Sequence, residues 1–251
     1  KILMSGTLQN QSVYGAGVCG VSLEVNKSAG NVLVGSYLTL SGSSDLILTL
    51  GSFNAGSGII TLPRNLVKTG GTFVQGNSTV IFNGATATID NINFRYLKFD
   101  NIAQIVTINQ PIFVDNNLTF SAIATLNGSP INVGGNIYFN DTAWDGTSKI
   151  IANGGGSQTI YGAGVCGVSM ESTSNGLNLG SNLTLTGSAS DFSYLSGTIN
   201  LNSCTLTLPN NFISSGGNFN AGTSTVIFKG ANVSIGYAQF YNVIFKILWN
   251  E

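Results

Sequence analysis

The stretch Gly216-Gly-Asn-Phe-Asn-Ala-Gly-Thr-Ser-Thr-Val-Ile-Phe-Lys-Gly230 decides the fold, because it places a short apolar run between glycine and asparagine turns. Short runs of Thr, Val, Ile and Phe bounded by such residues are typical of β-strands. The run Ser224-Thr-Val-Ile-Phe228 recurs earlier as Ser78-Thr-Val-Ile-Phe82. A strand-and-turn unit that occurs twice indicates a repeat protein built from strands.

The repeat extends over most of the chain. Tyr14-Gly-Ala-Gly-Val-Cys-Gly-Val-Ser22 recurs at positions 161–169, an offset of 161 − 14 = 147. Further matched pairs are Leu38-Thr-Leu40 with Leu183-Thr-Leu185, Thr61-Leu-Pro63 with Thr207-Leu-Pro209, Phe94 with Phe240, and Phe99 with Phe245. We interpret residues 1–251 as one repeat domain, a tandem duplication of about 14–99 and 161–245 with a related middle unit at 100–160.

Glycine pairs mark a shorter period within the duplication. Gly70-Gly71, Gly134-Gly135 and Gly216-Gly217 each precede a similar strand, and their spacings are 135 − 71 = 64 and 217 − 135 = 82. Such variation is too large for one fixed sandwich, whereas coils are added easily. The sequence therefore predicts an all-β fold, a repeat β-solenoid (parallel β-helix) of short strands whose turns stack at about 4.8 Å. Tandem small β-sandwiches are the alternative.

A stacked arrangement makes two further predictions. Residues that are equivalent in the duplication, such as Leu38 and Leu183, or Phe82 and Phe228, should face the same side of the core at different heights. Cys19 and Cys166 should lie several turns apart, beyond the Cα separation of about 7 Å that a disulfide allows. They are expected to be buried thiols that are not bonded to each other.

Composition excludes several classes of function. Only 8% of the residues are charged, against about 25% in an average domain, so Ser, Thr, Asn and Gly must form the surface. The net charge is −1 with no basic cluster, which argues against nucleic-acid binding, and the chain has no apolar run of about 18 residues to span a membrane. It contains no histidine, the usual general base. We predict no enzyme activity, no catalytic or metal-binding residues and no cofactor.

The string Gly15-Ala-Gly-Val-Cys-Gly20 and its second copy, Gly162 to Gly167, match the pattern of a dinucleotide-binding loop. That loop needs a helix after it, so that the helix N-terminus meets the pyrophosphate. Here Val21-Ser-Leu-Glu-Val25 follows, which is typical of a strand. We therefore interpret the string as a corner at which backbone passes close to backbone.

One segment departs from the repeat. The distance from the second glycine of each pair to the serine of the next strand is 78 − 71 = 7 and 224 − 217 = 7 in two units, but 148 − 135 = 13 in the middle unit. The six extra residues fall near Asn140-Asp-Thr-Ala-Trp-Asp145. Insertions in repeat proteins often form the binding face.

We therefore predict a contact loop for a glycan or a partner, formed by Asn140, Asp141, Trp144 and Asp145. The Trp144 ring would be its contact surface, so that Trp144→Ala would abolish binding and leave thermal unfolding unchanged. The other interpretation is a structural loop with Trp144 folded onto the solenoid.

The chain also resembles a known type of protein. The stretch Gly216 to Gly230 followed by Phe240-Tyr-Asn-Val-Ile-Phe245, and the runs Asn182-Leu-Thr-Leu-Thr186 and Leu206-Thr-Leu-Pro209, resemble the β-strand repeats of large bacterial secreted and surface proteins. These are adhesin-like proteins of the filamentous-haemagglutinin or autotransporter-passenger type. The resemblance implies stalks, adhesins, filaments and surface layers, and it supplies no catalytic residues.

These observations predict a structural or adhesive module of a cell or virion surface, part of a filament, stalk, surface layer or fibre, that acts through self-association and surface contact. The alternatives are a carbohydrate-active β-helix of the tailspike or polysaccharide-lyase kind and a passive glycan-binding module. Both ends of the chain cut through a repeat. We therefore expect the chain to be part of a longer array or to meet its neighbours end to end.

Overall fold

The computed structural model describes residues 1–7, 9–15, 17–162 and 164–246. These residues form 33 strands and no helix, and every strand pair in them is parallel. The strands coil into a β-solenoid of about 12 turns. The predicted all-β solenoid is thus confirmed, and the tandem sandwiches are excluded because the sheets run continuously through successive repeats.

Each turn passes three faces, which we number in the order in which the chain meets them. Face 1 begins as a ten-stranded sheet. Its strands are β1 (Ile2–Gly6), β2 (Gln11–Val13), β4 (Leu23–Val34), β6 (Leu46–Asn54), β8 (Leu66–Lys68), β9 (Thr72–Val74), β11 (Thr86–Ile89), β14 (Ile105–Ile108), β17 (Thr125–Gly128) and β20 (Asp145–Gly146). Face 2 begins within this sheet. Its first part is formed by β2, by β9 and by the second halves of the long strands β4 and β6, which bend away from face 1.

From the fifth turn onward, face 2 is a separate seven-stranded sheet. It contains β12 (Asn93–Phe94), β15 (Ile112–Val114), β18 (Ile131–Val133), β21 (Lys149–Ala152), β24 (Ser169–Ser172), β27 (Phe192–Tyr194) and β30 (Phe212–Ser214).

Face 3 is one eleven-stranded sheet along almost the whole solenoid. It contains β3 (Val18–Cys19), β5 (Tyr37–Leu40), β7 (Ile59–Leu62), β10 (Thr79–Phe82), β13 (Tyr96–Asp100), β16 (Leu118–Ala122), β19 (Ile137–Phe139), β22 (Ser157–Tyr161), β25 (Gly176–Leu179), β28 (Thr198–Asn200) and β31 (Asn218–Asn220).

Face 1 is interrupted after β20 and resumes as a five-stranded sheet. This sheet contains β23 (Val165–Cys166), β26 (Leu183–Leu185), β29 (Thr205–Leu208), β32 (Thr225–Phe228) and β33 (Asn242–Phe245). It continues face 1 because β23, like β20 one turn earlier, follows a strand of face 3 and precedes a strand of face 2.

The structural period is a single turn of the solenoid, which is several times shorter than the interval between the glycine pairs. Paired residues on face 3 differ in number by as little as 96 − 79 = 17, for Thr79 with Tyr96, and by as much as 160 − 137 = 23, for Ile137 with Ile160. The glycine pairs also occupy different corners. Gly70-Gly71 lies between β8 and β9, where the chain leaves face 1, whereas the other two pairs lie between faces 2 and 3.

The expectation that equivalent residues of the two copies face the same side of the core is wrong. Leu38 lies in β5 on face 3, and Leu183 lies in β26 on face 1; Phe82 and Phe228 are divided in the same way. From β5, seven steps along face 3 lead to β25, and β26 is on the next face. The offset between the two copies thus corresponds to seven turns and one face. The second copy is therefore rotated by one face against the first.

Alternation along each strand builds the core. In β10, Val80 and Phe82 are buried and Thr79 and Ile81 lie on the outer side. Because successive turns pair in register, equivalent side chains stack along the axis. The rings of Phe82, Phe99, Phe120 and Phe139 form such a column behind face 3, with centroids 6.0, 5.4 and 5.5 Å apart.

Candidate functional site

The predicted contact loop does not present its tryptophan to solvent. Trp144 is only 5% exposed, and its ring stacks on Phe120 with centroids 4.9 Å apart and planes 17° apart. Its Nε1 donates a hydrogen bond of 2.6 Å to the carbonyl oxygen of Val165. A buried Trp usually satisfies its N–H in this way. This arrangement matches the alternative interpretation, in which Trp144 is folded onto the solenoid.

Asp141 is also part of the structure of the loop. It is 8% exposed, and its Oδ2 accepts a hydrogen bond of 2.6 Å from the backbone N–H of Ile123, one turn earlier. Its Oδ1 accepts one of 2.7 Å from Thr142 N–H. Asn140 is exposed, and its N–H donates to the Phe120 carbonyl at 2.9 Å. The six extra residues therefore do not form a protruding insertion, because the segment from Gly135 to Ser148 carries β19 and β20, one strand more than the matching segments of the other units.

The second glycine-rich string packs directly against this loop. A Cβ atom on Gly164 would lie 2.0 Å from the Asp141 carbonyl oxygen, and one on Gly167 would lie 2.3 Å from that of Trp144. The strand β24 follows the string. The interpretation as a corner at which backbone passes close to backbone is thus confirmed for the second copy. It is wrong for the first copy, where nothing lies within 4 Å of a Cβ built on Gly17.

In each copy, the tyrosine directly before the glycine-rich string packs its ring against a glycine of the next turn. The ring of Tyr14 covers Gly35, where a Cβ would lie 2.4 Å from Cδ1, and Tyr161 covers Gly180 in the second copy. Tyr161 also stacks on Tyr138, with centroids 5.1 Å apart. Both copies thus keep a flat ring on bare backbone, although they lie at different places around the solenoid.

The interruption of face 1 leaves a groove of about 650 Å³ on the surface. The strand β20 pairs with β17 through two residues only, Asp145 with Thr125 and Gly146 with Leu126. The next strand on this face, β23, pairs with β26 and not with β20. The groove is lined by Thr125, Asn127, Asp145, Gly146, Thr147, Ser148, Ser169, Thr186, Gly187, Ser188, Ala189 and Ser190.

Of the four residues predicted for the site, only Asp145 lines this groove. The segments Thr125–Asn127 and Thr186–Ser190 were not foreseen, since Ser, Thr, Gly and Asn recur throughout the chain. The glycine-rich string is not a signal for the groove either, because the first copy has the same string, and nothing lies within 4 Å of a Cβ built on its Gly17. At the groove, Thr186 Oγ1 reaches across the missing pairing and donates to the Trp144 carbonyl at 3.2 Å.

Among the described residues that line the groove, Asp145 is the only one that carries a charge. The carboxylate is exposed, and its Oδ1 accepts a hydrogen bond of 3.3 Å from Thr125 Oγ1. Asp145 is absent from the salt bridges formed among the described residues. A second hollow of about 500 Å³ shares Asp145 and Thr186 with the groove and adds the side chain of Ile102, which is 78% exposed.

All three cysteines are free, so Cys19 and Cys166 are not bonded to each other, as predicted. The expectation that both thiols are buried is wrong for Cys19, which is only partly buried. Cys166 is fully buried, and burial raises the pKa of its thiol to about 12. Burial also raises the pKa of Cys204. A thiol with a raised pKa is protonated near neutral pH and is a poor nucleophile.

In the part of the chain that the structure describes, no group of three or more His, Cys, Asp or Glu residues is placed to hold a metal ion. The same residues contain no helix long and apolar enough to cross a membrane.

Fold and groove together define the class, a parallel β-solenoid with a polar groove at a sheet interruption. No family model, curated protein or solved structure matches the chain. The resemblance to adhesin-like surface proteins therefore stays a prediction.

Proposed function

We propose that the chain is a structural or adhesive module of a cell or virion surface, which acts as a rigid spacer and contacts other molecules through its outer faces. The observation that carries this proposal is the use of the acidic side chains. Eight of the nine described Asp and Glu residues bond to another turn of the solenoid, and the ninth, Asp100, pairs with Lys98 in its own strand. The pairs are Glu24 with Lys1 and Thr49, Asp45 with Asn65, Asp90 with Lys68 and Asn109, Asp100 with Lys98, Asp115 with Gln75, Asp141 with Ile123, Asp145 with Thr125, Glu171 with Lys149, and Asp191 with Asn210.

Most of these bonds join one turn to the next. Glu171 receives the Lys149 ammonium at 3.0 Å, and Asp90 Oδ2 accepts the backbone N–H of Lys68 at 2.9 Å. Glu24 has a lowered pKa because the Lys1 and Thr49 side chains donate to it. These carboxylates thus hold successive turns together, as expected for a module that serves as an elongated spacer.

A carbohydrate-active β-helix, the alternative interpretation, has less support. Glycoside hydrolysis by two carboxylates needs them about 5–9.5 Å apart on either side of the scissile bond. Of the described acidic residues, Asp145 alone lines the groove at the interruption of face 1, while Asp141 in the same loop is buried and accepts hydrogen bonds from backbone N–H groups. Asp145 therefore lacks the second carboxylate that this mechanism of glycoside hydrolysis requires.

The test combines assembly with turnover. We expect the purified chain, viewed by negative-stain electron microscopy and measured by light scattering, to form straight particles that associate into ordered arrays as concentration rises. We expect no release of reducing sugar from a panel of neutral and acidic polysaccharides. Particles that stay monomeric at every concentration and bind no surface, or turnover that is lost in Asp145→Asn, would overturn the proposal.

A further inference from the structure

We propose that the groove at the interruption of face 1 is a binding site for a saccharide that carries no acidic groups. This inference is independent of the structural role, since a module could extend a surface without binding anything in the groove. It rests on the shape of the groove, on the polar groups within it that have no partner in the solenoid, and on its charge.

The groove has the size of a ligand site. Its volume of about 650 Å³ lies within the range of about 300–1,000 Å³ that is usual for small-molecule sites. Its walls come from four successive turns, from Thr125 on β17 to Thr186 after β26. At about 4.8 Å per turn these three steps span about 14 Å. The groove is thus long in the direction of the solenoid axis and suits an elongated ligand.

Several side chains that line the groove already form hydrogen bonds with other residues of the solenoid. Thr147 donates through its hydroxyl to Asn127 Oδ1 at 3.1 Å, and Ser148 Oγ donates to the Ser129 carbonyl at 2.8 Å. The Thr186 hydroxyl donates a hydrogen bond to the Trp144 carbonyl oxygen, as described above. These bonds fix the walls, so that the groove exists before a ligand enters.

Three other groups have no partner among the described residues. They are the Asn127 amide Nδ2, the Ser188 hydroxyl and the second carboxylate oxygen of Asp145, and they provide a donor, a group that both donates and accepts, and an acceptor. Vicinal hydroxyls of a sugar offer the same mixture of donors and acceptors. A ligand made of hydroxyl groups therefore matches the groove better than a purely apolar or a purely anionic one.

The negative charge of the groove narrows the class of ligand further. The carboxylate of Asp145 would repel uronic acids, sulfated sugars and phosphates, and no cation lines the groove to offset it. The adjacent hollow adds the apolar side chains of Ile102 and Ala143 beside Asp145. The C–H face of a sugar ring can pack there. The geometry thus favours a neutral saccharide or one that carries an amino group.

The experiment measures binding of neutral, amino-bearing and acidic oligosaccharides by isothermal titration, up to about 1 mM ligand. The variants are Asp145→Ala, which removes the charged acceptor, and Ser188→Trp, which fills the groove. The matched control is Ser43→Trp in the turn Ser41–Asp45, the exposed counterpart of the Thr186–Ser190 turn in the first copy. Thermal unfolding of each variant shows that the fold is kept.

We expect at least one neutral or amino-bearing oligosaccharide to bind, at least tenfold weaker binding in Asp145→Ala, none in Ser188→Trp, and unchanged binding in Ser43→Trp. The inference is overturned if no saccharide in the panel binds, if an acidic one binds best, or if Ser188→Trp binds like the natural chain. Each of these results leaves the test of assembly and turnover untouched.

Discussion

At the scale of single residues, burial decides what the aromatic side chains do. Trp144 follows a polar loop and precedes an exposed aspartate, so its local sequence resembles that of a surface contact residue. The ring instead packs beside the stacked pair Phe120 and Phe139, with centroids 4.9 and 6.3 Å from theirs. By contrast, Tyr37 on the outer side of β5 is 50% exposed.

Replacing Trp144 with alanine should lower the free energy of unfolding by about 3–5 kcal/mol, because a large buried ring is lost and a cavity remains. The Val165 carbonyl also loses its donor. Trp144→Phe should recover most of the loss, since it keeps a ring in the stack. Denaturant unfolding followed by circular dichroism measures all three proteins.

Tyr37→Ala is the control, and its cost should stay within about 1 kcal/mol because the side chain is half exposed. If Trp144→Ala unfolds at the same denaturant concentration as the natural chain, the ring is not part of the core, and the loop becomes a surface site again.

At the scale of elements, identical sequence takes on different packing. The glycine-rich strings of the two copies follow the matching strands β2 and β22, yet their surroundings differ. Nothing lies within 4 Å of a Cβ built on Gly17, whereas one built on the matching Gly164 meets the Asp141 and Phe139 carbonyl oxygens. The loop 140–145 presses on the second string alone.

Gly164→Ala should therefore destabilise the chain by about 1–3 kcal/mol, the usual cost of forcing extra volume into a packed site. Gly17→Ala should change stability by no more than about 0.5 kcal/mol. Thermal unfolding of the two variants in parallel tests this, since both change the same position of the same motif. Equal melting temperatures for the two variants would show that the loop does not pack on the second string.

At the scale of the whole molecule, the stack has about 12 turns, which corresponds to about 58 Å at 4.8 Å per turn. Hydrogen bonds run along this axis on all three faces. Because face 1 is interrupted after β20, faces 2 and 3 carry an axial load at that turn. The duplication does not repeat the surface along one side, because the second copy is displaced from the first by seven turns and one face.

This rotation can be seen with two labels on one molecule. Thr39 and Thr184 are equivalent in the sequence repeat but lie on the outer sides of faces 3 and 1, whereas Thr39 and Asn178 share face 3. Each pair is changed to cysteine in a chain whose Cys19 and Cys204 are replaced by serine, then coupled to biotin and streptavidin. Cys166 stays unlabelled, because it is buried and its pKa is about 12.

In electron micrographs, the streptavidin molecules on Thr39→Cys and Asn178→Cys should project from the same side of the rod. Those on Thr39→Cys and Thr184→Cys should project from different sides. Same-side projection for the second pair would mean that the duplication spans a whole number of turns.

The sequence by itself determined the secondary structure and the parallel stacking of the strands. These properties follow from the sequence pattern, since period-two runs between Gly and Asn turns predict strands with one buried side, and the uneven spacing of the glycine pairs favours stacked turns over fixed sandwiches. Only the tertiary structure decided the length of a turn, the rotation of the second copy, the burial of Trp144 and the position of the groove. Each of these depends on how much of the chain makes one turn around the core, and that length is set by side chains from different turns packing against one another.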